Sequence, residues 1–150
     1  MKLAEALSLR KDCHKKIVQL KARILSNVKV QEGDEPAEQP AELMREMEAC
    51  LQQLQELIFR INVTNMKPLP DGSTLTAKLA LRDVLTLRIQ ALREIFDGAS
   101  DSQERYSRSE IKMVKTVDVK ALHKQIDDLS GQLRKLDIEI QALNFTVELA

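Results

Sequence analysis

The chain has 150 residues, of which 31% are charged and only 3% aromatic. Its 23 basic residues balance its 23 acidic ones, so net charge gives no reason to expect nucleic acid or an acidic membrane as a partner. No apolar run approaches the ~20 residues of a membrane-spanning helix, and charges interrupt the first residues where a signal peptide needs an apolar core. We therefore expect one cytoplasmic, helical domain.

The predicted fold is all-α, an elongated four-helix bundle made of antiparallel coiled-coil hairpins. Apolar residues at heptad spacing predict helices over about residues 2–27, 41–65, 75–96 and 118–148. The last helix has the most regular pattern, because gaps of four and three alternate from Leu122 to Val147. Alternating β-branched residues at 111–117 predict a short extended segment or strand before it. This strand could pair with residues 63–69, with residues 28–30 or with its own copy in another subunit.

The first helix and the segment that follows it carry opposite charge. The first 27 residues contain seven basic and two acidic side chains, whereas residues 30–56 contain eight acidic and one basic. The basic face could bind phosphate groups, but ion pairing with the acidic neighbour is the interpretation we favour. The acidic residues of the connection could similarly hold a divalent cation, but they lack EF-hand spacing and are better explained as a solvated loop. They are Glu32, Asp34, Glu35 and Glu38.

The second helix supplies the partner seam for the first. Its predicted core residues are Met44, Met47, Leu51, Leu54, Ile58 and Ile61, with Leu43, Cys50 and Leu57 on the flank. A hairpin that turns near Asp34 places Cys13 level with residue 55, about 7.5 Å along the helix from Cys50. We therefore expect two buried thiols and no disulfide.

The third helix is apolar around most of its circumference, which predicts burial on most sides. Arg82, Asp83 and Arg88 lie beside its apolar stripe. They could form a buried functional cluster, but we favour a buried salt-bridge network with a structural role.

The fourth helix has two apolar side chains on the face opposite its heptad seam, Ile138 and Phe145. A helix that is apolar at front and back is typically contacted on both sides. We therefore predict that these residues contact a second subunit in a homo-oligomer.

The connection before the fourth helix contains the strongest candidate for an anion-binding patch. Its residues are Arg105, Arg108, Lys112 and Lys115. His14 and His123 lie in no zinc-binding motif, and the sequence has neither a nucleophile elbow nor a glycine-rich phosphate loop. We predict no catalytic, cofactor-binding or metal-binding residues, and a protein that is not an enzyme.

Several connections resemble those of a family of small bacterial helical proteins, the septicolysin-like family. The segments that carry the resemblance are KVQEGDEPAE (29–38), INVTN (61–65), LPDGSTLT (69–76) with Arg82-Asp83, YSRSEIK (106–112), VDV (117–119) and the closing RKLDIEIQALNFTVEL. The resemblance spans nearly the whole chain and implies a membrane-active cytolysin. It supplies no catalytic or binding residues.

Three functions follow as expectations. The first is a non-enzymatic interaction or scaffold protein that binds itself, or itself and another protein, through oligomer surfaces. The second is the cytolysin that the resemblance implies, although the apolar stripes are already used by the helix seams. The third is an anion or nucleic-acid binder that uses the basic patches, which the balanced net charge does not favour.

Overall fold

The computed structural model describes residues 1–101 and 111–150. They form four helices: α1 (Leu3–Asn27), α2 (Pro40–Met66), α3 (Leu75–Ser100) and α4 (Val119–Thr146). The described residues contain isolated bridges but no strand, so the predicted all-α class is confirmed. The helices fall into two compact units, the first made of Met1–Thr74 with Ala142–Ala150 and the second of Leu75–Gln141.

The ends of the helices carry residue types that favour the start or the end of a helix. Pro40 occupies the first turn of α2, where its missing N–H costs no hydrogen bond. Asp118 caps α4, because its Oδ1 accepts a hydrogen bond from the Ala121 N–H at 3.0 Å. In the turn before α3, Gly72 has a φ of 81°, a left-handed conformation that favours glycine.

In the first unit, α1 and α2 are antiparallel and their opposite charges pair. Lys16 Nζ lies 2.8 Å from Glu46 Oε1, and Arg23 Nε donates to Glu38 Oε2 at 3.0 Å. The Lys16 hydrogen bond is the main cause of a lowered pKa at Glu46, and the Arg23 hydrogen bond lowers the pKa of Glu38 in the same way. At Lys16 and Arg23, the structure therefore supports the interpretation that the basic residues of α1 form ion pairs with the acidic segment.

The core seam of α2 differs from the prediction. The buried residues are Leu43, Cys50, Leu54, Leu57, Ile61 and Thr64. Met44, Leu51 and Ile58, predicted as core, are 46%, 38% and 39% exposed. Two neighbouring rows of apolar residues on α2 repeat every seven residues. One begins at Leu43 and the other at Met44, and only the position of α1 decides which of them is buried. The prediction is confirmed for Leu54 and Ile61, which are buried, whereas the row expected on the flank, Leu43, Cys50 and Leu57, also lies in the core.

Residues 147–150 pack beside the start of α1 and the end of α2, within the first unit. The Leu3 N–H donates to the Val147 carbonyl at 3.0 Å, and the Leu149 N–H donates to the Met1 carbonyl at 2.9 Å. Lys2 Nζ lies 2.6 Å from Glu148 Oε1, and this hydrogen bond lowers the pKa of Glu148. We call residues 147–150 the closing segment.

The second unit is an antiparallel pair formed by α3 and residues 119–141 of α4. Its core contains Leu85, Ile89 and Ile126, and the partly buried residues packed around them are Leu92, Phe96, Leu122, Leu129 and Leu133. At one end Lys78 Nζ lies 2.7 Å from Glu139 Oε1. At the other end the rings of Phe96 and His123 are 5.6 Å apart. The first half of the predicted heptad seam of α4, from Leu122 to Leu133, therefore packs against α3.

Residues 111–117 form neither helix nor strand, so the strand predicted there is not observed. Ile111 is 90% exposed and Val114 71% exposed. Alternating β-branched residues favour a strand only where a neighbouring backbone accepts and donates the ladder hydrogen bonds. Neither pairing predicted within the chain, with residues 63–69 or with residues 28–30, is present among the described residues.

Candidate interaction surface

Large apolar side chains are exposed on the helices outside the buried seams. On α3, Leu81, Val84, Leu87 and Ile95 are each at least 50% exposed. This helix buries only Leu75, Leu85 and Ile89. The predicted burial of α3 on most sides is therefore wrong for the single chain, because the neighbouring helix covers one stripe of its circumference.

The back face of α4 has the exposure that the predicted oligomer contact requires. Ile138 is 68% exposed and Phe145 is 71% exposed. They lie seven positions apart, about two turns along one helix. The buried residues Ile126, Leu136 and Ile140 lie on the other side of α4.

A second exposed apolar cluster, near the C-terminal end of α2, was missed by the sequence analysis. Phe59 is 64% exposed and Met66 61% exposed, and with Val63 and Pro68 they line a shallow groove. The spacing of Phe59, Val63 and Met66, four and then three residues, is itself a helical stripe. That signal was present in the sequence, but the stronger heptad rows of α2 concealed it.

A groove between α3 and α4 has a volume of about 440 Å³. Its polar lining contains Arg93 and Arg134 together with Glu94 and Asp97, so the positive and negative charges balance. Ser130 also lines it, and its buried Oγ has no hydrogen-bond partner among the described residues. A balanced lining of this kind does not select an anion or a cation.

The predicted buried charge network is wrong. Arg82 Nη2 lies 3.5 Å from Asp83 Oδ1, but these side chains are 38% and 72% exposed. Arg88 is exposed as well. Successive residues of a helix point about 100° apart, so a residue beside a narrow buried stripe can still face solvent.

The predicted anion patch is not assembled in the described residues. Lys112 and Lys115 are exposed in a segment without regular structure. The prediction for Arg105 and Arg108 lies outside the described residues. Among the residues that the structure describes, no group of three or more metal-ligating side chains comes together.

Fold and surface together define an all-α protein of paired helices, with apolar side chains exposed on outer faces in addition to its seams. The chain belongs to DUF6847, a family of unknown function whose model matches residues 10–149. The chain is also similar to a functionally unknown conserved protein from Corynebacterium diphtheriae, known from a crystal structure. The two are 39% identical, with a TM-score of 0.85 over 100% of this chain and 99% of that one. Among curated proteins, none matches this chain.

These findings correct the resemblance to the septicolysin-like family, which is wrong. The family that matches is DUF6847, and neither it nor the solved neighbour points to a septicolysin. Turn residues and heptad seams recur in many helical hairpins for common physical reasons, so likeness in them does not specify a family. Within the described part of the chain, no helix combines the length and apolarity needed to cross a membrane.

Proposed function

We propose that this chain is a cytoplasmic, non-enzymatic interaction protein that assembles with copies of itself and serves as a helical scaffold. The observation that carries the proposal is the exposure of Ile138 and Phe145 on the outer face of α4. The chain has only three phenylalanines, and two of them, Phe59 and Phe145, are more than 60% exposed. Exposed large apolar side chains in such a proportion are typical of a surface that is covered by another protein.

The occupant of this face is a second copy of the chain. A two-fold interface is self-complementary, so each residue of one copy meets its symmetry-related counterpart on the other. If two α4 helices pair antiparallel about their Gln141–Ala142 region, Ile138 of one copy lies level with Phe145 of the other. Ala142 beside the axis is small and exposed, which favours close approach of the helices.

The charge distribution supports this proposal over anion binding. Two of the basic residues of α1, Lys16 and Arg23, are already paired with glutamates. Neutralised phosphates dominate the affinity for nucleic acid, so basic residues engaged within the chain weaken that alternative. We therefore propose no second function.

The test is the mass of the folded protein in solution, measured by sedimentation over a range of concentrations. Phe145→Asp is expected to lower the mass towards that of one chain while the helical circular dichroism persists, because a buried charge without a partner disfavours the interface. Gln132→Asp is the matched control, since it places the same charge on an exposed position of a different face of α4. A wild-type protein that stays monomeric, or a mass that Phe145→Asp does not change, would contradict the proposal.

A further inference from the structure

The register of the α1/α2 hairpin brings the two cysteines of the chain level with each other. Lys16 on α1 faces Glu46 on α2. Cys13 lies three residues before Lys16, and Cys50 lies four residues after Glu46. Because the helices are antiparallel, both steps run in the same direction from the ion pair, by about 4.5 and 6 Å. The two cysteines therefore occupy neighbouring levels of one interface.

The buried rows of both helices give the same register. On α1, Ala6, Cys13 and Leu20 are buried at intervals of seven residues. On α2 the buried row is Leu43, Cys50 and Leu57, also at intervals of seven. Leu20 and Leu43 belong to one core cluster, which also contains Cys50. Cys13 lies one heptad before Leu20 on α1, and Cys50 lies one heptad after Leu43 on α2. Because the helices are antiparallel, Cys13 is opposite Cys50.

This register differs from the one expected from the sequence, and the connection explains the difference. The Glu38 N–H donates to Asn27 Oδ1 at 3.1 Å, and the Glu38 carboxylate accepts from Arg23. The chain has therefore returned alongside the last turns of α1 before α2 begins. A symmetrical turn at Asp34 overestimates the separation of the two cysteines along the helices.

Both cysteines are free and only 6% exposed. Burial raises the pKa of the Cys13 thiol, and the neighbouring Cys50 raises it further. The effect of Cys50 on this pKa agrees with the register, which places the two side chains near each other. Both effects favour a protonated Cys13 thiol in the resting protein, and the burial of both cysteines makes their oxidation depend on local opening of the helix pair.

We propose that Cys13 and Cys50 form an intramolecular disulfide bond across the α1/α2 interface when the protein meets a small-molecule disulfide of the glutathione class. One cysteine thiolate attacks a sulfur of the oxidised reagent, which gives a mixed disulfide and releases one reduced thiol. The second cysteine attacks the protein sulfur of that mixed disulfide and releases the second reduced thiol. The two protein thiol protons end on the two released molecules, so atoms and electrons balance.

The test treats the folded, full-length protein with oxidised glutathione and then measures the free thiols and the intact mass after denaturation and alkylation. After denaturation, the expected product is a single chain, not covalently linked to another, that has lost two hydrogens and contains no alkylated cysteine. The folded product is expected to unfold at a higher temperature. Cys13→Ser and Cys50→Ser, measured separately, are expected to stop at the mixed disulfide. A double variant, Cys13→Ser with Leu9→Cys, moves one thiol about 6 Å along α1 and is expected to bridge far more slowly.

Four results with the wild-type protein alone would overturn the proposal. They are two thiols that stay free, a glutathione adduct that persists in the wild-type protein, a disulfide-linked dimer, and a bridge that forms only in denaturant. Equal rates for the wild type and the displaced double variant would also overturn it, because the bridge would then owe nothing to the register of the helices.

Discussion

The hydroxyl group of Thr64 joins α2 to the closing segment, because it accepts a hydrogen bond from the Ala150 N–H at 2.9 Å. The same hydroxyl donates to the Arg60 carbonyl at 2.8 Å. Thr64 is 2% exposed, so these bonds are shielded from water. Thr64→Val keeps the shape of the side chain but removes both bonds, and should lower the free energy of unfolding by about 1–3 kcal/mol.

Denaturant unfolding measures this effect, and amide hydrogen exchange at Leu149 and Ala150 should accelerate at the same time. Thr146→Val is the control, since its exposed hydroxyl donates to carbonyls of its own helix. The control should change stability by less than about 0.5 kcal/mol. Equal losses for both variants would show that the contact with the closing segment contributes nothing.

The corrected seam of α2 predicts different effects for two isoleucines that are three residues apart. Ile61 is 1% exposed and Ile58 is 39% exposed. Ile61→Ala should reduce the free energy of unfolding by about 2–5 kcal/mol, because it leaves a cavity in a packed core. Ile58→Ala should cost about 1 kcal/mol or less, measured by the same urea titration. Equal losses for the two variants would instead support the seam predicted from the sequence, in which both isoleucines belong to the core.

The Lys16–Glu46 ion pair predicts a dependence of stability on pH. Its hydrogen bond lowers the pKa of Glu46 and raises that of Lys16. The contribution of Glu46 is therefore complete above the usual carboxyl pKa and is lost as pH falls through the lowered value. The contribution of Lys16 is complete below the usual lysine pKa and is lost as pH rises through the raised value. The pair should stabilise the fold between about pH 5 and pH 10.

Thermal unfolding of the wild type and Glu46→Gln across this range measures that contribution. The two melting temperatures should differ most in the middle of the window and converge at acid pH. Glu48→Gln is the control, because the Glu48 carboxylate contacts Gln52 of its own helix at 3.3 Å. A constant difference at every pH would contradict the linkage.

Replacing Gly72 or Gly98 by alanine should change the stability of the protein in opposite directions. Gly72 has a φ of 81°, so Gly72→Ala forces a left-handed conformation that costs about 1–2 kcal/mol. Gly98 lies in α3, where an added Cβ would meet nothing within 4 Å. Gly98→Ala should therefore stabilise the protein by about 0.5–1 kcal/mol. Thermal unfolding of the two variants tests both signs.

The helices were predictable because local chemistry determines them. Heptad spacing, Pro40 in the first turn of α2 and the Asp118 cap all act within a few residues of the chain. The choice between the Leu43 and Met44 rows was not predictable, since it depends on the direction from which α1 approaches. The exposure of Arg82 and Asp83, and the level of Cys13 relative to Cys50, likewise depend on tertiary packing and on an asymmetric connection.

The closing segment makes the first unit discontinuous in sequence, with Leu75–Gln141 inserted between its two parts. Contacts between residues 1–3 and 147–150 are nearly as distant along the chain as any in it. During synthesis α1 and α2 can pair early, but their terminal hydrogen bonds must wait until the inserted unit has been made. Such contacts slow folding through the entropy of closing a long loop. During synthesis the first unit can therefore begin to assemble before the second has been made, but its terminal contacts can form only afterwards.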